Sequence, residues 1–156
     1  MKHGCLTQGW MIPLALASLV AVAGCKPKEE ANAEQISETR TEGQQNVAEA
    51  SAEAQQDIAA AKQAETQATL EAASNPDPAD AALNNMEARA ATMKQEAEGR
   101  YKVESAEIEA ALNTEKQRCN ALPSADRSSC IDAAKAEHER KLSEAKSRRD
   151  STPGAG

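Results

Sequence analysis

The sequence predicts an all-α protein of elongated, alanine-rich helices, ending in a disulfide-closed helical hairpin and flanked by a disordered tether and a disordered tail. Three observations carry this expectation. Ala, Glu, Gln, Lys and Arg dominate the composition, which suits long helices better than a globule. The 156 residues hold no Phe, one Trp and one Tyr, so little large apolar surface is available for a core. At ~25 cal/mol per Å² buried, alanine methyls give only weak collapse. Apolar residues also recur at helical spacing between two breaks, one at Pro76 and Pro78 and one at Pro123.

The first residues read as an export signal rather than as part of the fold. Lys2 and His3 give a basic start, Trp10 to Ala23 form an apolar run, and Gly24-Cys25 follow. The run is shorter than the ~20 apolar residues that a membrane-crossing helix needs, and Pro13 weakens a helix there further. Val22-Ala23-Gly24-Cys25 resembles the lipobox of bacterial lipoproteins: an aliphatic residue, two small ones, then the modified cysteine. That resemblance implies cleavage before Cys25, a diacylglyceryl group on its thiol, and acylation of the new amine with a chain such as palmitate. At ~0.8 kcal/mol per buried methylene, two or three chains hold a protein stably to a membrane. Lys26, in place of the Asp that marks inner-membrane retention in enteric bacteria, favours the outer membrane, with the body facing the periplasm. Cys5 leaves with the signal peptide.

Residues 25–33 (CKPKEEANA) are polar, contain Pro27, and read as a tether. Residues 34–74 read as an acidic, alanine-rich helical spacer that projects the following hairpin away from the membrane. Ile36, Val47 and Ile58 lie eleven apart, with Leu70 twelve further on. Eleven residues make three helical turns, so these side chains return to one face. The phasing resembles the repeats of late embryogenesis abundant proteins, which implies an alternative role as a stress or desiccation protectant with a largely disordered body. Gly43 interrupts the segment and costs about 1 kcal/mol relative to Ala in a helix.

Residues 75–80 form a linker, since each residue before a proline is pushed out of helical geometry. Asp77 is placed to cap the next helix, with Pro78 at its first position. Residues 81–150 are expected to form the hairpin. Its first helix carries a stripe of Leu83, Met86, Ala90, Met93, Ala97 and Tyr101, continued by Ile108 and Leu112. Pro123 breaks the chain, and Ser129 with Asp132 fits a capping box, although Ser124 or Asp126 could cap instead. Ile131, Ala134, His138, Leu142 and Ala145 give the last helix its apolar face, before a tail at residues 151–156.

Cys119 and Cys130 are the informative pair. In an oxidising compartment they are expected to form a disulfide. On one continuous helix they would stand ~16 Å apart, but a reversal at Pro123 brings them within bridging reach. Metal binding is the alternative, and two thiolates without a nearby His make a poor site. With the bridge as crossing point, Leu142 should meet Ile108, and His138 should fall opposite Ala111 beside Leu112.

Tyr101-Lys102-Val103, Cys119, Leu122, Cys130 and Ala133-Ala134-Lys135 resemble a two-cysteine helical segment that recurs in bacterial exported proteins. No activity transfers from that likeness. The overall plan is similar to that of the murein lipoproteins, although Pro153-Gly154-Ala155-Gly156 offers no lysine for a covalent link to peptidoglycan, and none is expected.

Catalysis is not expected. His138 is the one histidine after Cys25; Ala134 and Leu142 occupy the positions one turn away, where a helical zinc site would carry its second histidine. There is no glycine-rich phosphate loop, so neither a cofactor nor a metal is expected. A net charge of −7 argues against nucleic acid as partner. The basic residues Lys135, Arg140, Lys141, Lys146, Arg148 and Arg149 gather on the last helix, where cations suit the negative C-terminal dipole. The expected role is that of a non-catalytic, lipid-anchored cell-envelope protein whose partner is another envelope protein or a second copy.

Overall fold

The computed structural model describes residues 28–152, which form three α-helices and no strand. These are α1, Lys28–Ala73, α2, Pro78–Asn120, and α3, Ser124–Asp150. The all-α class, the helix breaks and the closing disulfide agree with the sequence reading. Cys25, the segment read as a signal peptide and the last four residues lie outside the described residues.

The first link is built as its residues dictate. The last turn of α1 closes with the Ser74 N–H donating to the Glu71 carbonyl at 3.0 Å. Asn75 Oδ1 accepts from the Asp77 N–H at 2.9 Å, fixing the turn. Asp77 then caps α2, its carboxylate accepting from the Ala79 N–H at 2.9 Å and the Asp80 N–H at 3.5 Å, with Pro78 at the head of the helix. The second link differs from the expected capping box. Pro123 itself stands at the N-cap of α3, and its carbonyl accepts from the Asp126 and Arg127 N–H groups. A proline there needs no donor of its own, so the helix starts five residues before Ser129.

Two expectations about the N-terminal half are corrected. The segment expected to be tether already turns helical at Lys28. Residues 34–74 do not stand off as a projecting spacer; α1 is laid antiparallel along α2. Lys62 meets Glu96 at 3.0 Å, Glu53 meets Lys102 at 2.6 Å and Glu65 meets Arg89 at 3.8 Å across this seam. The Thr92 hydroxyl is buried in it, donating to the Ala61 carbonyl of α1 at 3.4 Å and to Ala88 of its own helix at 3.2 Å.

The physical reason lies in small residues. Ile36, Val47 and Ile58 do share one face, which continues through Ala50, Ala61 and Ala72 and is the less exposed side of α1. Leu70, one residue out of phase with the eleven-residue step, is 66% exposed. Opposite, Ala88, Gly99 and Ala110 keep the same step on α2. A Cβ placed on Gly43 would lie 2.7 Å from the Ala110 Cβ, and one placed on Gly99 would lie 3.0 Å from Ile58 Cδ1. The glycines let the backbones approach closely, and that approach supplies contact which large side chains supply elsewhere.

α3 packs on the other side of α2. Ala97, Ile108, Leu112 and Cys119 are buried there, as is Ala145 of α3, and α1 and α3 do not touch. The three helices therefore make a single layer with α2 in the middle. Because α3 is 27 residues against 43 for α2, it covers only the C-terminal part of that back face. Its last turns end near Ala97 and Tyr101, and beyond them Leu83, Met86 and Met93 are 58%, 67% and 40% exposed.

Candidate functional site

The residues singled out for chemistry cluster at one end of the layer. Cys119 ends α2 and is fully buried; Cys130 sits in the second turn of α3 and is partly exposed. Pro123 reverses the chain between them, and the two sulfurs are bonded with their Cα atoms 5.6 Å apart. Thr39 and Arg40 of α1 lie alongside Lys116 and Arg118, so the start of α1 stands at the same end as this bridge. The turn at residues 74–77 is at the opposite end.

Away from the bridge the hairpin register runs within about two residues of the sequence expectation. His138 faces Glu109, at 3.1 Å, rather than Ala111, and Leu142 shares a hollow with Tyr101, Ser105 and Ala106. Two arginines tie the far end: Arg148 pairs with Glu104, and the Arg149 guanidinium stacks 4.6 Å from the centre of the Tyr101 ring. The structure places His138 on the inner face of α3 with Ala134 and Leu142, as its place on the apolar stripe predicts, with its side chain 19% exposed. Its position one turn from each of them was the signal.

The exposed side of α3 carries a charge ladder. Arg140 bonds Glu137 through Nε at 2.9 Å and also pairs with Glu144. The Arg140 hydrogen bond is the main influence holding the Glu137 carboxyl down at about 2, with the Lys141 ammonium assisting. In the seam between α1 and α2, the Lys62 hydrogen bond and charge lower Glu96 likewise. A carboxyl whose folded value is depressed contributes stability that is present above its ordinary value of 4.5 and is lost as the pH falls toward 2. Side-chain titration by NMR should therefore place the Glu137 midpoint near 2 in the wild type. In Arg140→Gln it should move back toward 4.5. Unfolding stability above pH 4.5 should fall in the variant, as the linkage between a depressed carboxyl and the folded state requires.

No family model matches the chain, nor does any curated protein or solved structure. Among the described residues no three His, Cys, Asp or Glu side chains stand together to hold a metal ion, and no helix is long and apolar enough to cross a membrane. The hollows are open grooves between helices, such as one of about 420 Å³ where Val47 and Gly43 face Ala110 and Thr114. What the geometry offers is a stiff layer with a covalently closed end, long acidic and basic edges, and an uncovered apolar strip on α2.

Proposed function

We propose that the chain is an exported lipoprotein, held by lipid on Cys25 to the periplasmic face of the outer membrane, with a structural or interaction role rather than a catalytic one. The observation that carries the reading is Val22-Ala23-Gly24-Cys25 at the end of a short apolar run, with α1 beginning three residues later at Lys28. The Cys119–Cys130 bridge is of a kind that persists in oxidising compartments, which fits export. At 1.5 Å per residue the 46 residues of α1 span about 69 Å, so the turn at residues 74–77 can be carried that far from the anchor. The close seam at Gly43 and Ala110 supports this reading over that of a disordered protectant, since the eleven-residue phasing serves tertiary packing.

Cys25→Ala is the test. Metabolic labelling with a fatty-acid analogue should mark the wild type and leave the variant unmarked, with the variant accumulating unprocessed or released. Equal labelling of the two would overturn the lipoprotein reading.

A further inference from the structure

We propose that the uncovered back of α2 is a docking surface for a second copy of this chain, the two α2 helices lying antiparallel with Met86 on the twofold axis. This names the partner within the interaction role above, but it rests on the body of the protein and not on the lipid.

The strip continues an interface that already exists. Met86, Ala97, Ile108 and Cys119 follow one another at eleven residues on α2; the last three are buried where α3 packs, and Met86 lies beyond its end. Ala79, Leu83, Ala90 and Met93 lie beside Met86 on the same side of the helix. Exposed apolar strips of this kind mark interaction sites.

The strip is complementary to itself. It runs from Ala79 to Met93, and Met86 is its midpoint. Turned about that point, Met93 falls on Ala79 of the second copy, Leu83 falls beside Ala90, and Met86 meets Met86. Each large side chain thus finds a small one except at the axis, where two flexible methionines can share the space. The charges agree as well. Asp80 and Lys94 lie on one flank of the strip, and neither joins an ion pair among the described residues. The same twofold brings Asp80 of one copy beside Lys94 of the other, twice. A twofold interface repeats each contact in this way.

The available space sets the same register. α3 ends near Ala97 and Tyr101. With Met86 on the axis, Pro76 at the hairpin tip of one copy reaches Glu96 of the other and stops just short of its α3. That brings Asp77 of the tip toward the end of the other copy's α3, whose last turn carries Arg148 and Arg149. A shift toward the C-terminus of α2 would drive the tip into α3.

The test uses full-length protein in intact cells, whichever compartment holds it. Under mild oxidation Met86→Cys should give a disulfide-linked dimer of twice the chain mass. Leu70→Cys, equally exposed but on the side of α1 turned away from α2, should stay monomeric. Absence of the Met86→Cys dimer, equal bridging by Leu70→Cys, or linkage to a protein of another size would each overturn the proposal. A charge exchange checks the register. In detergent-solubilised protein Asp80→Lys should weaken the dimer about tenfold or more, by setting Lys beside Lys twice. Adding Lys94→Asp should restore it, and no recovery in the double variant would overturn the register. Lipidation does not enter either readout, so this proposal and the anchor proposal fail separately.

Discussion

Gly43→Val is expected to lower the melting temperature by roughly 5–10 °C, through a loss of about 2–3 kcal/mol. The cause is geometric. A Cβ at this position would sit 2.7 Å from the Ala110 Cβ and 3.4 Å from the Ala110 Cα. Neither atom is the end of a flexible side chain, so the two helix axes must part, and every alanine contact nearby loosens with them. Gly43→Ala meets the same first clash but gains about 1 kcal/mol in helix propensity, so its net loss should be smaller. Ala110→Gly in that background should recover stability, because it exchanges the methyl from one helix to the other. Gly99→Ala is the contrast: its Cβ would meet Ile58 Cδ1 at 3.0 Å and the Ala54 Cβ at 3.2 Å. Ile58 Cδ1 can move aside, so Gly99→Ala should come out close to neutral. Thermal melts of the four variants decide the matter, and an unchanged melt for Gly43→Val would mean that α1 is not seated on α2.

That seam is also where sequence reasoning fell short. The helices themselves were legible, because proline pairs and an Asp-Pro cap act locally and leave a mark at Ser74 to Asp80. The face of α3 was legible too, since Ile131, Ala134, His138, Leu142 and Ala145 recur every three or four residues. The docking of α1 was not. Its stripe is made of Ala50, Ala54, Ala61 and Ala72 more than of Ile and Val, and counting large hydrophobes assigns such a face to solvent. Leu70, the largest apolar residue of the segment, points away from the stripe, while Gly43, read as a defect, marks the closest approach. The eleven-residue phasing was visible in α1, but it shows a seam only when set beside Ala88, Gly99 and Ala110 of α2. At the candidate site the bridge was legible from Pro123 and two cysteines. The pairing of His138 with Glu109 was displaced by two positions, because the arithmetic assumed helices aligned residue for residue from the bridge.

Removing the bridge by Cys119→Ser with Cys130→Ser is expected to cost ~3 kcal/mol or less, concentrated in α3. The sequence separation is 11, so the loop whose freedom the bridge restricts is short and the effect falls below that of a long-range crosslink. It still weighs heavily here. Against α2, α3 sets one buried residue, Ala145, with Ile131, Ala134, His138 and Leu142 only partly covered. In the Glu104–Arg148 pair the arginine is exposed and in the Glu109–His138 pair the carboxylate is, so each contributes little. The Arg149–Tyr101 stack adds about 0.5–1 kcal/mol at such a site. Amide exchange should therefore accelerate along α3 in the double variant, most at its first turns, where the bridge is the one covalent hold on the chain reversal beside turn hydrogen bonds such as that from Arg127 to the Leu122 carbonyl. The α1–α2 seam should change little, since α3 does not touch α1 and the Gly43 and Gly99 contacts lie on the other side of α2. Peptide mapping of the wild type under non-reducing conditions should recover one linked Cys119–Cys130 species. Free thiols on the freshly isolated protein, or Cys119 and Cys130 bridged between chains, would instead leave α3 hinged at Pro123, and the loss of exchange protection in the double variant would then vanish.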